Sequence, residues 1–293
     1  MSQPDLDQLC NGPLAPVLEG LETRRRVAVR RFIWIMVGFA ALAMVALIFI
    51  PDMAFKVFGA GAILFSGWLI ASRPLEATAR ALKGPAVTAI SEARDLAYQA
   101  TDFSADAYEA IHPLFSRPNG RAFRDRFTGE QGGSRFAFYH ATLIAGSGKS
   151  RREVFKGLIY VMTRRPLRGE TVIMPDRGLF NFFTPGFELE RVRFEDDPDF
   201  ERAFEVYSTQ PDEARALINP VARQTLKGWR SGSSPLIVRL ATDQVTVAMA
   251  DREDHFGVGP MLKPIPGRER IQGLWDELDR ALTRIHQIQS VFG

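Results

Sequence analysis

One cysteine, Cys10, stands in a chain of 293 residues. A lone thiol excludes an intrachain disulfide and any metal site built on several cysteines, and the thiol-free remainder fits a reducing compartment. Histidine is scarce as well. The four, His112, His140, His255 and His286, are isolated from one another, so no two share the spacing that puts a pair of ligands on one helix face. No repeat of 20–50 residues is evident, and no serine lies in a Gly-x-Ser-x-Gly elbow after an apolar strand. Charge of one sign is also missing. Lys and Arg number 37 against 34 Asp and Glu, for a net charge of +3. Outside the N-terminal region the two signs alternate closely, which describes a solvated surface and no dense patch for nucleic acid.

Apolar residues make up 46% of the chain, and their excess sits near the front. FIWIMVGFAALAMVALIFI, from Phe32 to Ile50, carries no charge. Its length of about 19 residues, at about 1.5 Å per residue, matches a hydrocarbon core about 30 Å thick. A second run, Ala54 to Ser72, follows after Pro51, Asp52 and Met53, and its one charge, Lys56, lies near an end where its stem reaches the headgroups. The pair predicts a tight transmembrane hairpin, with Trp34 and Trp68 at the interface away from its turn. Arg24, Arg25, Arg26, Arg30 and Arg31 precede the first span, and Arg73, Arg80 and Lys83 follow the second. By the positive-inside rule both termini are expected in the cytoplasm. A cleaved signal sequence is the competing assignment, but its apolar core is about 7–15 residues and is not followed by a second span.

Ahead of the first span, Leu14, Val17, Leu18 and Leu21 share one helical face. That stripe either packs on the soluble part, with the arginines fixing topology, or lies on an anionic leaflet. From Arg73 to Ala100 the chain favours two helical pieces meeting at Gly84 and Pro85, and helical character returns near Ser104 to Phe115. Alternating residues on both sides of a Gly-Ser-Gly turn then predict a β-hairpin over residues 135–162. ETVIMP and ELERVRF read as strands, PDFERAF and PDEARALI as short helices with acidic first turns. PLIVRLAT and QVTVAMA form a second hairpin through Asp243, and an amphipathic helix runs from about Arg268 to Gln289.

Three groupings resemble chemistry. AGSGKS, Ala145 to Ser150, ends like a phosphate-binding loop, but Leu143 stands where that motif needs its first glycine, and a strand follows where it needs a helix. It is expected to be a hairpin turn. Glu195, Asp196, Asp197, Asp199 and Glu201 offer carboxylates to a cation, yet lack the glycine and terminal glutamate of a calcium loop, and a helix cap explains them. Asp251, Asp254 and His255 fall in a polar loop where a solvated turn is the default.

VFKGLIYVM at Val154, ETVIMPD at Glu170 and ERVRFEDDPDFERAFEVYSTQPDEARALINP from Glu190 to Pro220 together resemble the bacterial DUF3137 family. The order of strand, acidic helix start, "FEVYS" strand and "EARALINP" helix carries the resemblance. The chain departs from the family's pattern at Gln210 and Pro211, and at His140, where glutamate is more usual. The resemblance implies a membrane-anchored bacterial protein with a cytoplasmic α+β domain, and it supplies no catalytic residues.

The expectation is therefore an α+β protein: a basic lead-in over residues 1–31, a transmembrane hairpin over 32–72 with spans 32–50 and 54–72, a helical connector over 73–118, and a mostly antiparallel cytoplasmic α+β domain over 119–293. No cofactor, metal or catalytic residue is assigned. The expected partners are the lipid bilayer of the inner membrane and a protein held by the domain. Function is read as binding or scaffolding at that membrane, with an enzyme, hydrolytic and assembled from distant segments, as the alternative. Transport is a third reading, weakened by spans that lack internal acidic or paired polar residues.

Overall fold

The computed structural model describes residues 12, 15–49, 52–115, 118–176, 189–230, 236–251, 255–256 and 268–293. Cys10, Leu14 and Asp254 lie outside these, as do the side chains of Val17 and Leu21. The chain divides into two compact units, Met1–Arg94 with Phe256–Leu278, and Asp95–His255 with Asp279–Gly293.

The first unit is helical. Helix α1, Ala15–Phe49, and helix α2, Met53–Glu92, contain the two apolar runs. Asp52 starts α2, its Oδ1 accepting the backbone N–H of Ala54 at 2.8 Å and of Phe55 at 3.1 Å. That satisfies donors a helix N-terminus otherwise leaves bare. The two helices touch closely at Gly67, where an added Cβ would stand 2.6 Å from the Cβ of Phe39. Both are long and apolar enough to cross a membrane, and their most apolar windows are only 6% buried. Phe49 and Phe58, each 79% exposed, and Trp34, 65% exposed, are among the uncovered side chains. Among the described residues, Val221 alone of the exposed large apolar side chains lies outside these helices.

Helix α2 corrects one expectation. It runs unbroken through Pro74 and Pro85, with no junction at Gly84. A proline removes one N–H from the ladder, and the Ala-, Leu- and Glu-rich turns around these two keep the helix going on both sides.

The second unit contains a sheet of nine strands among the described residues: β1 Ala97–Gln99, β2 Gly120–Gln131, β3 Ser134–Ala145, β4 Arg152–Thr163, β5 Thr171–Pro175, β6 Glu190–Val192, β7 Phe204–Ser208, β8 Leu236–Leu240 and β9 Gln244–Ala250. Their order is β1-β2-β3-β4-β9-β8-β5-β7-β6, and every neighbouring pair is antiparallel. The expected α+β class and mostly antiparallel domain are thus found. Both expected hairpins form, β3 with β4 and β8 with β9. Two strands were not anticipated. β1 lies in the stretch read as helical, and β2 pairs with β3.

The registers place Tyr98, Phe127, Phe138, Tyr160, Val247, Val238, Ile173, Val206 and Val192 side by side, one from each strand. Directly opposed residues share a face, so this row crosses the whole sheet on one side. Eight of the nine are buried, Tyr98 being half-buried at the edge. The opposite face presents Tyr139, Ala141, Leu143, Phe155 and Ile159 to helix α3, Asp106–Ile111, and the 3-10 turn after it, through Tyr108, Ile111, Leu114 and Phe115.

Three further short helices follow: α4 Pro198–Ala203, α5 Pro211–Leu217 and α6 Pro220–Trp229. Each has proline in its first turn, where the missing N–H costs nothing. The last helix, α7 Arg268–Phe292, buries Ala281, Ile285, Ile288 and Phe292 at helical spacing. In this unit its Gln289 Nε2 donates to the Gln131 carbonyl at 2.9 Å, and Gln287 Oε1 accepts the Trp229 indole N–H at 3.1 Å.

Gly157 faces β9, where an added Cβ would lie 2.1 Å from the Met249 carbonyl oxygen. Backbone cannot swing aside as a side chain does. Gly157→Ala is expected to destabilise the chain by about 1–3 kcal/mol, and Phe138→Ala, which empties the centre of the row, by about 3–5 kcal/mol. Urea unfolding of the full chain in detergent micelles measures both.

Candidate functional site

The chemical-looking residues fall into three places in the second unit. The first begins with a β-bulge. The β2–β3 register shifts between Arg124 and Phe127, and Asp125 takes a left-handed backbone, φ 56°. Short polar side chains tolerate that conformation, and a bulge re-aims its neighbours. Arg124 comes opposite His140, one step along the strands from the apolar row, and its Nε donates to His140 Nδ1 at 3.3 Å. A ring that accepts at Nδ1 carries its proton at Nε2. Asp125, 2% exposed, accepts the Tyr98 hydroxyl at 2.8 Å and lies 3.9 Å from the Arg124 guanidinium. Burial, and then the Asp125 charge, push the Tyr98 phenol well above its ordinary value.

His140 is fully buried, and its ring centroid is 6.3 Å from that of His255. His255 Nε2 in turn meets Asp251 Oδ2 at 3.0 Å. Asp251 and His255 therefore do not make a solvated turn: the histidine is 8% exposed and joined to the interior. Two isolated histidines are brought together, whereas His112 packs on the Tyr108 ring and His286 bonds Gln131 at 3.0 Å.

The second place is the acidic segment, where Asp196, Asp197, Asp199 and Glu201 each have protein partners and Glu195 is exposed. Arg223, 4% exposed, grips Asp196 through two bonds of 2.8 and 2.6 Å. Asp197 caps α4 by accepting the Phe200 N–H at 3.1 Å and takes the Lys227 ammonium at 3.0 Å. Glu201 accepts the Phe194 N–H at 2.7 Å and meets Arg191 at 3.2 Å, and Arg191 also bonds Glu205 at 2.6 Å. Asp199 pairs with Arg202. The cap reading holds, extended by an ion-pair clasp to α6. Among the described residues no three His, Cys, Asp or Glu are grouped so as to hold a metal ion. Gly148, Lys149 and Ser150 form a 3-10 turn between β3 and β4, closed by mutual bonds between Ser147 and Ser150. No helix N-terminus follows them, so the phosphate-loop geometry is not built.

The third place is a depression of about 580 Å³ on the sheet, on the same face as Tyr139. Its floor is Ala97, Ala137 and Val161, and Asp95, Arg126, Glu130 and Arg135 stand around it, with Thr128, Thr163 and Gln244 between.

Residues 153–289 match the family model of DUF3137, a protein of unknown function. The resemblance read from the sequence is therefore shown over this stretch. No curated protein matches the chain. Among solved structures, the crystal structure of the mycobacterial trehalose monomycolate transport factor A, TtfA, aligns at 13% identity over 67% of this chain and 94% of that one, with a TM-score of 0.36. That likeness is too slight to carry an argument. The DUF3137 stretch contains the whole clasp, together with Asp251 and His255. Arg124, Asp125 and His140 precede it. Gln210 and Pro211, where the chain departs from the family's pattern, enter α5, and the Gln210 N–H bonds Ser208 Oγ at 3.0 Å.

The clasp makes a pH prediction. The hydrogen bond and charge of Arg223 hold Asp196 below the ordinary carboxylate range. Burial pushes Asp197 up, but Lys227, the Phe200 N–H and Arg223 outweigh it, and its value is lowered too. Carboxylates depressed in the fold stabilise it above their unfolded value of about 4 and lose that contribution as pH falls through the folded values. The double variant Asp196→Asn, Asp197→Asn is expected to have a lower urea midpoint than the parent at pH 7. The gap should narrow between pH 5 and pH 3, followed by tryptophan fluorescence.

Proposed function

We propose that the chain is a membrane-tethered binding module at the inner membrane, its sheet domain facing the cytoplasm and holding a polypeptide partner in the depression on the β1–β4 face. The observation that carries the reading is that depression, about 580 Å³, with a small-residue floor and a rim of both charges. Its volume is of ligand-site size, and mixed charge around apolar floor suits a segment presenting alternating side chains. Two candidate spans support the tether, and the arginines flanking them support the orientation. Tethering raises the effective concentration of a partner at the same surface, so a modest interface suffices. The carboxylates and guanidiniums of the clasp are engaged with one another, a use that favours structure over turnover.

One observation favours the alternative, a hydrolytic enzyme. His255 Nε2 stands 3.0 Å from Asp251 Oδ2 with the His140 ring beside it, and a histidine next to a carboxylate is a residue type that serves as a general base. A hydrolase on this plan would use a histidine to activate water.

A photoreactive residue at Gln244 in the full chain, irradiated in native membranes, tests the first reading. A discrete adduct with one protein is expected, reduced by about tenfold or more by Arg126→Glu with Arg135→Glu, since like charges brought together across an interface cost several kcal/mol. An adduct indifferent to those reversals removes the depression from the function. Hydrolysis of model esters or phosphoesters that disappears in His255→Ala establishes the alternative.

A further inference from the structure

Between α1 and α2 of the first unit lies a cavity of about 550 Å³, lined by Val27, Arg30, Arg31, Trp34, Ile35 and Pro74. Its position follows from the sequence. The arginines end the basic lead-in, the apolar run starts at Phe32, and Pro74 closes the second candidate span, Met53–Pro74. A cavity at that level has charge on one side and hydrocarbon on the other.

The five arginines of the lead-in are not equivalent. Arg25 and Arg26 are held by Glu22, at 2.7 and 2.9 Å. Among the described residues Arg30 and Arg31 make no ion pair, and both are exposed. Both line the cavity, and the fork of N–H donors on each guanidinium fits a phosphate. The remaining walls, Val27, Trp34 and Ile35, are apolar and suit acyl chains, for which a free phosphate has no use. Tryptophan favours this level of a bilayer, with ring in the hydrocarbon edge and N–H toward the headgroups.

We infer that this cavity is a binding site for an anionic diacyl phospholipid, its phosphate between Arg30 and Arg31 and the start of its chains along Val27, Trp34 and Ile35. The inference rests on the membrane reading above and goes beyond it by naming the lipid class and the residues. A resident anionic lipid would fix the depth and rotation of α1 at the surface where the sheet domain is displayed.

The test reconstitutes the full chain, in a Trp68→Phe, Trp229→Phe, Trp275→Phe background that leaves Trp34 as the one tryptophan, into phosphatidylcholine vesicles containing phosphatidylglycerol. Either lipid carries brominated chains in turn, and quenching of Trp34 reports its neighbours. Quenching by brominated phosphatidylglycerol should exceed that by brominated phosphatidylcholine at equal fraction, with a preference of about tenfold for two arginines acting at the surface. Arg30→Gln with Arg31→Gln should abolish the preference. Arg24→Gln with Arg26→Gln, an equal loss of charge away from the cavity, should retain it. Equal loss in both variants overturns the site in favour of diffuse surface charge, and competition by millimolar inorganic phosphate overturns the lipid as its ligand. Absence of any preference in a chain that resists carbonate extraction overturns the site and leaves the tether standing. Extraction by carbonate overturns both.

Discussion

One apolar row, from Tyr98 through Phe138 and Tyr160 to Val192, ties the second unit together. Neighbours in sequence supply only part of it. β1 to β4 form a meander by adjacent pairing, but β4 joins β9, eighty and more residues along the chain by number, through the pairs from Gly157 with Ala250 to Thr163 with Gln244. The Tyr160–Val247 contact therefore closes the sheet, and β8, β5, β7 and β6 follow from it. Because side chains alternate across a strand, a slip of one residue at this seam would turn the row to the wrong side. Gly157 secures the seam from the other direction, since only a residue without a side chain lets the β9 backbone come so near.

The elements that could be read along the chain are those whose pattern is local. Both hairpins announce themselves by alternation about a short turn, and α4 and α5 by the proline and carboxylates of their first turns. β1 has three residues, too few to show a period, and its place depends on β2. β2 alternates on either side of Asp125, but the bulge breaks the period in its middle, so that GRAFRDRFTGEQ reads as mixed. α6 carries polar residues that look solvated until Arg223 is seen turned inward to Asp196. The candidate site was less legible than the fold. His140 and His255 are separated by more than a hundred positions and meet through the β3–β4–β9 pairings, while Arg124 is aimed at His140 by the bulge. Such a juxtaposition leaves no trace in spacing.

The first unit follows a different rule. Its helices leave phenylalanine, isoleucine and tryptophan side chains bare where a water-soluble unit would cover them. Helices satisfy their own backbone, so a pair of them can lie in hydrocarbon with no further partner. Close approach at Gly67 and Phe39 gives the pair dispersion contacts. The cap at Asp52 matters to the same accounting, since it satisfies two donors at the start of α2.

The distribution of charge separates structure from surface. Inside the second unit, acids and bases are matched: Arg223 to Asp196, Arg191 to Glu205, Arg239 to Glu170 by two bonds of 2.7 and 3.1 Å. Arg223 is buried though Asp196 is exposed, and Glu205 is buried beside Arg191, so removing the partner strands a covered charge and such pairs enforce one arrangement of the elements they join. The clasp thus fixes α6 against the segment between β6 and α4, and the Glu170–Arg239 pair fixes β8 beside the entry to β5. Guanidiniums committed in this way cannot also serve a ligand. Other charges stand at surfaces, among them those around the depression on the β1–β4 face and Arg30 and Arg31 on α1.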